Sequence, residues 1–161
     1  MSFQKILVPY DGSRFADKAL ENAIGIAKLS GSGSSTQIIL LHVTPHIPIP
    51  LTFERPVCSP KSGKSVPLTQ YIQELTEEMK GNASKMLDEE KQKYAHHNIK
   101  IDTTSLDGNP AEKIIEFANN KKVDLIVIGN VGLSGLSRVK ALGSVSRNVS
   151  ERASCPVLIV H

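Results

Sequence analysis

The sequence predicts an α/β protein in which a parallel sheet is covered by helices on both faces. Two observations carry this. Short apolar runs rich in β-branched residues recur along the 161 residues, and segments with apolar residues at helical spacing lie between them. Strands alternating with helices need crossover connections, which run right-handed and bring consecutive strands into parallel pairing. The length fits a single domain, residues 1–161, able to bury a hydrophobic core.

Ile6-Leu7-Val8 reads as a buried strand, stopped by Pro9-Tyr10-Asp11-Gly12. Ser13 is placed to cap a helix, because its hydroxyl can accept from first-turn N–H groups. Ala16, Ala19, Leu20, Ala23, Ile24 and Ala27 follow on one face, and the helix is predicted to stop near Gly31. Gln37-Ile38-Ile39-Leu40-Leu41-His42-Val43 is a second buried strand. Residues 44–66 then hold Pro45, Pro48, Pro50, Pro56 and Pro60, a density that argues against helix or central strand. An irregular stretch of that length points to function or disorder.

A long helix is predicted from Pro67 to about His96-His97-Asn98, with Tyr71, Leu75, Met79, Met86 and Leu87 on one side. Ile99, Ile101 and Thr103 alternate with polar residues, as in a half-buried edge strand. Asp107-Gly108-Asn109-Pro110 is a turn into a helix, with Asn109 as cap and Pro110 at the first position. Ala111, Ile114, Ile115 and Ala118 form its apolar face. Residues 123–128 make the strongest strand signal, residues 143–153 a helix, and Val157–Val160 a terminal strand after Pro156.

Composition narrows the function classes. Apolar residues are 40% and charged residues 22%, ordinary for a globular protein. A net charge of +3 with scattered Lys and Arg, 4% aromatics and no Trp argues against nucleic-acid binding. Cys58 and Cys155 are far apart in sequence and in no metal-ligand spacing, so a reducing, cytoplasmic setting is expected and a disulfide scaffold is not. The Met-Ser-Phe-Gln-Lys start reads as no signal peptide, and no apolar run approaches the ~18 residues of a membrane span.

In such sheets ligands collect beyond the carboxyl ends of the strands, where the winding direction reverses. If the first and fourth strands are neighbours there, Pro9-Tyr10-Asp11-Gly12 faces the loop that begins at Gly129. That loop reads Gly129-Asn130-Val131-Gly132, then ten residues, then Gly143-Ser144 opening a helix. Glycines allow close backbone approach, and a helix N-terminus offers free N–H groups and partial positive charge to a phosphate. Ser144 adds a hydroxyl, Arg138, Lys140 and Arg147 add charge, and Asp11 suits a ribose hydroxyl. Spacing alone leaves a second reading open, in which Gly129 ends a strand and Ser144 caps a helix.

Ile6-Leu7-Val8-Pro9-Tyr10-Asp11-Gly12-Ser13 resembles the opening of the universal stress protein family. Gly129-x-x-Gly132, Gly143-Ser144-Val145-Ser146 and Cys155-Pro156-Val157-Leu158-Ile159-Val160 resemble its ending, as in archaeal and bacterial single-domain members. The resemblance implies an open, Rossmann-like sheet of five parallel strands in the order three-two-one-four-five. It implies a homodimer paired through the last strand, Val157–Val160, and an apolar edge strand left open would be an aggregation risk. It further implies ATP or AMP binding, with Pro9, Tyr10 and Asp11 against adenine and ribose and the Val43 backbone against adenine. Ile128, Gly129, Gly132, Gly143, Ser144, Val145 and Ser146 would line ribose and phosphates, and any Mg²⁺ would be held by phosphate oxygens. The stretch between Gly132 and Gly143 is one residue longer than the family's usual spacing, which leaves the number of phosphates open.

Other motifs are decoys. Gly63-Lys64-Ser65 imitates the end of a P-loop, but Cys58 stands where the first glycine belongs and no strand precedes it. His42 in an apolar strand reads as structural, and Met79 and Met86 as core. No catalytic residues and no metal ligands are assigned. The expected function is a nucleotide-responsive regulatory or stress protein with a protein partner that the sequence does not identify. The alternatives are a nucleotide-independent dimeric interaction module or a slow ATPase.

Overall fold

The structure is a computed structural model that describes residues 3–29, 36–48, 55–95, 99–133 and 142–161. The elements run β1 (Lys5–Pro9), α1 (Arg14–Leu29), β2 (Gln37–Thr44), β3 (Val57–Cys58), β4 (Ser65–Val66), α2 (Leu68–Lys93), β5 (Lys100–Asp107), α3 (Pro110–Lys121), β6 (Leu125–Gly129), α4 (Ser144–Arg152) and β7 (Val157–Val160). The main sheet has the order β5-β2-β1-β6-β7, and every pairing in it is parallel. Taken as successive strands of that sheet this is three-two-one-four-five, as expected.

Alternation along each strand divides the core in two. Ile6, Val8, Ile38, Leu40, Leu125 and Val127 point to the side covered by Ala16, Ala19, Leu20 and Ala23 of α1 and Leu87 of α2. Leu7, Ile39, Leu41, Ile126 and Ile128 point to the other side, against Ala111, Ile114, Ile115 and Ala118 of α3 and Val149 of α4. Ser13 Oγ accepts from the Ala16 N–H at 3.2 Å and caps α1. Asn109 does the same for α3 through Glu112 N at 3.3 Å, with Pro110 in the first turn. Lys122, at φ 52°, ends α3 in the left-handed conformation.

Three expectations are adjusted. The fourth strand begins at Leu125, because Lys122 still caps α3 and Val123 donates to the Ala118 carbonyl. The Pro-rich stretch holds a short antiparallel hairpin, Val57 opposite Val66 and Cys58 opposite Ser65. Pro56 and Pro60 flank the paired residues, so neither deprives the ladder of a donor. Gly63-Lys64-Ser65, the P-loop imitation, is its turn and second strand, with Gly63 at φ 66°.

The long helix starts at Leu68 and ends at Lys93, and its expected end at His96-His97-Asn98 lies outside the described residues. It buries Ala83, Leu87 and Glu90, while Tyr71, Leu75 and Met79 are only half-buried. Among the described residues no helix is long and apolar enough to cross a membrane.

Candidate functional site

Where β1 and β6 lie side by side, helices leave the sheet in opposite directions and their loops part. The β1 side is shaped by Asp11 and Gly12. Gly12 has φ +77°, a conformation that favours glycine, and a Cβ there would also have to displace Met86 Sδ, 2.7 Å away. Asp11 Oδ1 accepts from Ser13 N at 3.0 Å, and Oδ2 accepts from Leu133 N at 3.0 Å. One carboxylate thus ties the start of α1 to the loop after β6.

The glycines of that loop have separate causes. A Cβ on Gly129 would lie 2.8 Å from the Phe15 backbone, so this glycine admits α1 against the end of β6. A Cβ on Gly132 would lie 2.5 Å from Asp11 Oδ2. Gly143 donates from its N–H to the Asn130 carbonyl at 2.7 Å and begins α4 in an extended conformation. Buried Ser146 donates from Oγ to the same carbonyl at 2.7 Å. Gly143 is the N-cap of α4 and no side chain caps that helix, whereas Ser144 lies inside it. The reading in which Ser144 serves as the cap is therefore corrected. Arg147 is exposed, and Arg138 and Lys140 lie outside the described residues.

Asn130 joins this loop to the sheet edge. Its N–H donates to the Val160 carbonyl at 2.8 Å, and its side-chain amide donates to His161 Nδ1 at 3.0 Å. Its Oδ1 is buried and has no partner among the described residues.

On the other side, pairing of β1 with β2 ends at Pro9 opposite Leu41, while pairing of β2 with β5 continues to Thr44 opposite Asp107. The Leu41 carbonyl accepts from Tyr10 N at 2.9 Å, and the Thr44 carbonyl accepts from Gly108 N at 3.0 Å. Successive residues of a strand present their N–H and C=O to opposite edges. Val43, two residues beyond Leu41, therefore presents both groups to the β1 side where β1 has ended.

Tyr10 is buried, and its phenol donates to Asp17 on α1. Burial first, then that contact and the charge of Glu90, push its pKa above the ordinary tyrosine value. Its side chain packs in the core, and Tyr10 also lines the cavity at the strand ends. The Tyr10 carbonyl lies 2.9 Å from His42 Nδ1.

These elements enclose a cavity of about 530 Å³. Pro9, Tyr10, Asp11, Val43, Ile128, Gly129, Gly132, Gly143, Ser144, Val145 and Ser146, the residues expected from sequence, all line it. So do His42, Pro45, Met79, Pro110 and Ile114, which sequence reading did not place there. Pro45 and Met79 sit on an irregular stretch and a helix whose positions over the sheet have no local signal. His42, expected to be structural, has one ring nitrogen satisfied and also lines the cavity.

Fold and cavity together define an open parallel α/β protein with a cleft at the point where its winding reverses. The "Universal stress protein family" profile matches residues 2–161. Over 159 residues the chain is 35% identical to universal stress protein YxiE of Bacillus subtilis, covering 99% of each. The chain belongs to the universal stress protein family. The universal stress protein UspA from Lactobacillus plantarum has the same fold, with a TM-score of 0.81 at 24% identity over 100% of this chain and 99% of its own. A universal stress protein solved in complex with cAMP aligns at a TM-score of 0.63 and 25% identity, covering 100% of this chain and 98% of its own.

Proposed function

We propose that the cleft binds an adenine nucleotide, AMP or ATP, and that the protein is a nucleotide-responsive regulator acting as a homodimer in the cytoplasm. The observation that carries the reading is the start of α4. Its first turn has no side-chain cap, and Ser144 and Val145 line the same cavity as Asp11 and Val43. First-turn N–H groups without intrahelical acceptors suit a phosphate, strengthened by the helix dipole. The residues fit the ligand at three points. Ser144, Val145 and Ser146 would hold phosphate through backbone N–H groups, and Asp11 would accept from a ribose hydroxyl through lone pairs left by Ser13 and Leu133. The paired donor and acceptor of Val43 match the adjacent acceptor and donor on the edge of adenine. Mg²⁺, where a triphosphate brings it, would rest on phosphate oxygens. The family member solved with cAMP supports the adenine class.

The dimer part of the proposal rests on β7, the last strand of the sheet order, whose Leu158 is 38% exposed. Asn130, bonded to Val160 and His161, links that edge to the cleft.

Calorimetric titration with AMP and ATP, together with mass analysis of nucleotide carried through purification, tests the reading. Saturable binding of either nucleotide is expected. Failure of both measurements on folded protein overturns it, and leaves the nucleotide-independent dimeric module.

A further inference from the structure

His42 is the one imidazole that lines the cleft among the described residues. Its Nδ1 lies 2.9 Å from the Tyr10 carbonyl. A carbonyl oxygen only accepts, so Nδ1 carries a proton, and in the neutral form of an imidazole so protonated the lone pair lies on Nε2. No protein partner for Nε2 is found among the described residues. What His42 offers a ligand is thus a hydrogen-bond acceptor of fixed tautomer.

Among the side chains that line the same cavity, those of Val43, Pro45, Met79 and Ile114 offer no donor. An acceptor in such surroundings favours a ligand that brings an N–H and disfavours one that brings a second acceptor, because the latter leaves two acceptors facing each other. Val43, next to His42 in β2, presents a free backbone N–H and C=O toward the cleft. An exocyclic amino group on a purine has two hydrogens. One can go to the Val43 carbonyl, and the other then needs an acceptor nearby.

We propose that His42 is a specificity-determining residue of the cleft, whose Nε2 accepts from the exocyclic amine of a 6-aminopurine nucleotide. The inference rests on the nucleotide reading above and names the group that selects the base. The α4 amides are indifferent to the base, and the Val43 carbonyl can take only one of the two amine hydrogens.

The test compares AMP with purine riboside 5′-monophosphate, which lacks only the amino group, by calorimetric titration. The wild-type protein is expected to bind AMP at least about 10-fold more tightly than the deaminated analogue, which leaves both the Val43 carbonyl and Nε2 without a donor. His42→Asn keeps a donor near the position of Nδ1, for the Tyr10 carbonyl, and removes the acceptor at Nε2. It is expected to keep only the share of the preference that the Val43 carbonyl supplies, so the ratio of the two affinities falls about 3- to 10-fold from its wild-type value. His42→Gln, whose amide oxygen can reach the Nε2 position, is expected to recover part of the preference. A merely structural role would lower both affinities together and leave their ratio unchanged. Equal binding of the two ligands by wild type, or an undiminished preference in a folded His42→Asn, overturns the inference while leaving nucleotide binding intact. No binding of either ligand to wild type overturns both readings.

Discussion

The carboxylate of Asp11 occupies the space that a side chain at position 132 would need, since a Cβ on Gly132 would stand 2.5 Å from Asp11 Oδ2. The same oxygen accepts from the Leu133 N–H at 3.0 Å. The absence of a side chain at one loop and the reach of a carboxylate from the other are therefore a single arrangement. It fixes the distance between the β1 and β6 loops at the mouth of the cleft.

Gly132→Ala is expected to turn the Asp11 carboxylate aside and break its bond to Leu133. The loss of one solvent-accessible hydrogen bond costs about 1 kcal/mol of stability. The affinity for AMP is expected to fall by roughly 5- to 10-fold, because the ribose acceptor moves with the carboxylate. Urea denaturation and calorimetry check the two effects. A variant with unchanged affinity would show that Asp11 takes no part in binding.

Gly129→Ala acts differently. The methyl group would meet Phe15 backbone and Cβ atoms at 2.8 Å, and neither α1 nor β6 can yield without opening the core. Overpacking of this kind costs about 1–3 kcal/mol. The variant is expected to lose more stability than Gly132→Ala in the same denaturation series. The reverse order would contradict the packing role given to Gly129.

Tyr10 makes the fold sensitive to alkali. Burial, the Asp17 contact and the charge of Glu90 raise its folded pKa above the ordinary tyrosine value. In the unfolded chain the phenol ionises near pH 10, while in the fold it stays protonated, so above that pH the unfolded state binds fewer protons. Stability contributed by the neutral phenol is complete below about pH 10 and is lost as pH rises toward the folded pKa. Denaturation measured from about pH 8 to 11 should show stability falling above about pH 10, and Tyr10→Phe should flatten the fall. Tyr94, raised mainly by burial, contributes in the same direction and accounts for slope that remains.

Leu158→Lys tests the proposed dimer. Leu158 is 38% exposed on the edge strand, whereas its neighbour Ile159 packs against the core, so Leu158 alone can be charged without disturbing the monomer. Sedimentation is expected to show a dimer for wild type and a monomer for the variant, with an unchanged circular dichroism spectrum. An undiminished dimer would place the contact elsewhere.

The parts of this fold legible in the sequence are those governed by local periodicity and capping. Ile6-Leu7-Val8, the alanine face of α1, and the Asn109-Pro110 start of α3 all fall where their spacing puts them. The Val57–Val66 hairpin escaped because its strands are two residues each, too short for any period, and its prolines signal only irregularity. The lining of the cleft was legible where backbone chemistry speaks, at Gly132 and Gly143-Ser144. It was not legible at Met79 or Ile114, since only the packing of α2 and α3 over the sheet brings those side chains to the strand ends. Gly129 shows a further limit. Its type was noticed and set against a ligand, but the atom that requires glycine there belongs to Phe15, distant in sequence.

The central claim is that the start of α4 receives the phosphate of a nucleotide whose base lies against the end of β2. An NMR titration of uniformly ¹⁵N-labelled protein with AMP tests it most directly. The account predicts saturable shifts at the backbone amides of Ser144, Val145 and Val43, following one binding curve. Binding detected by calorimetry without shifts at Ser144 and Val145, or shifts confined to the hairpin and α2, would contradict it.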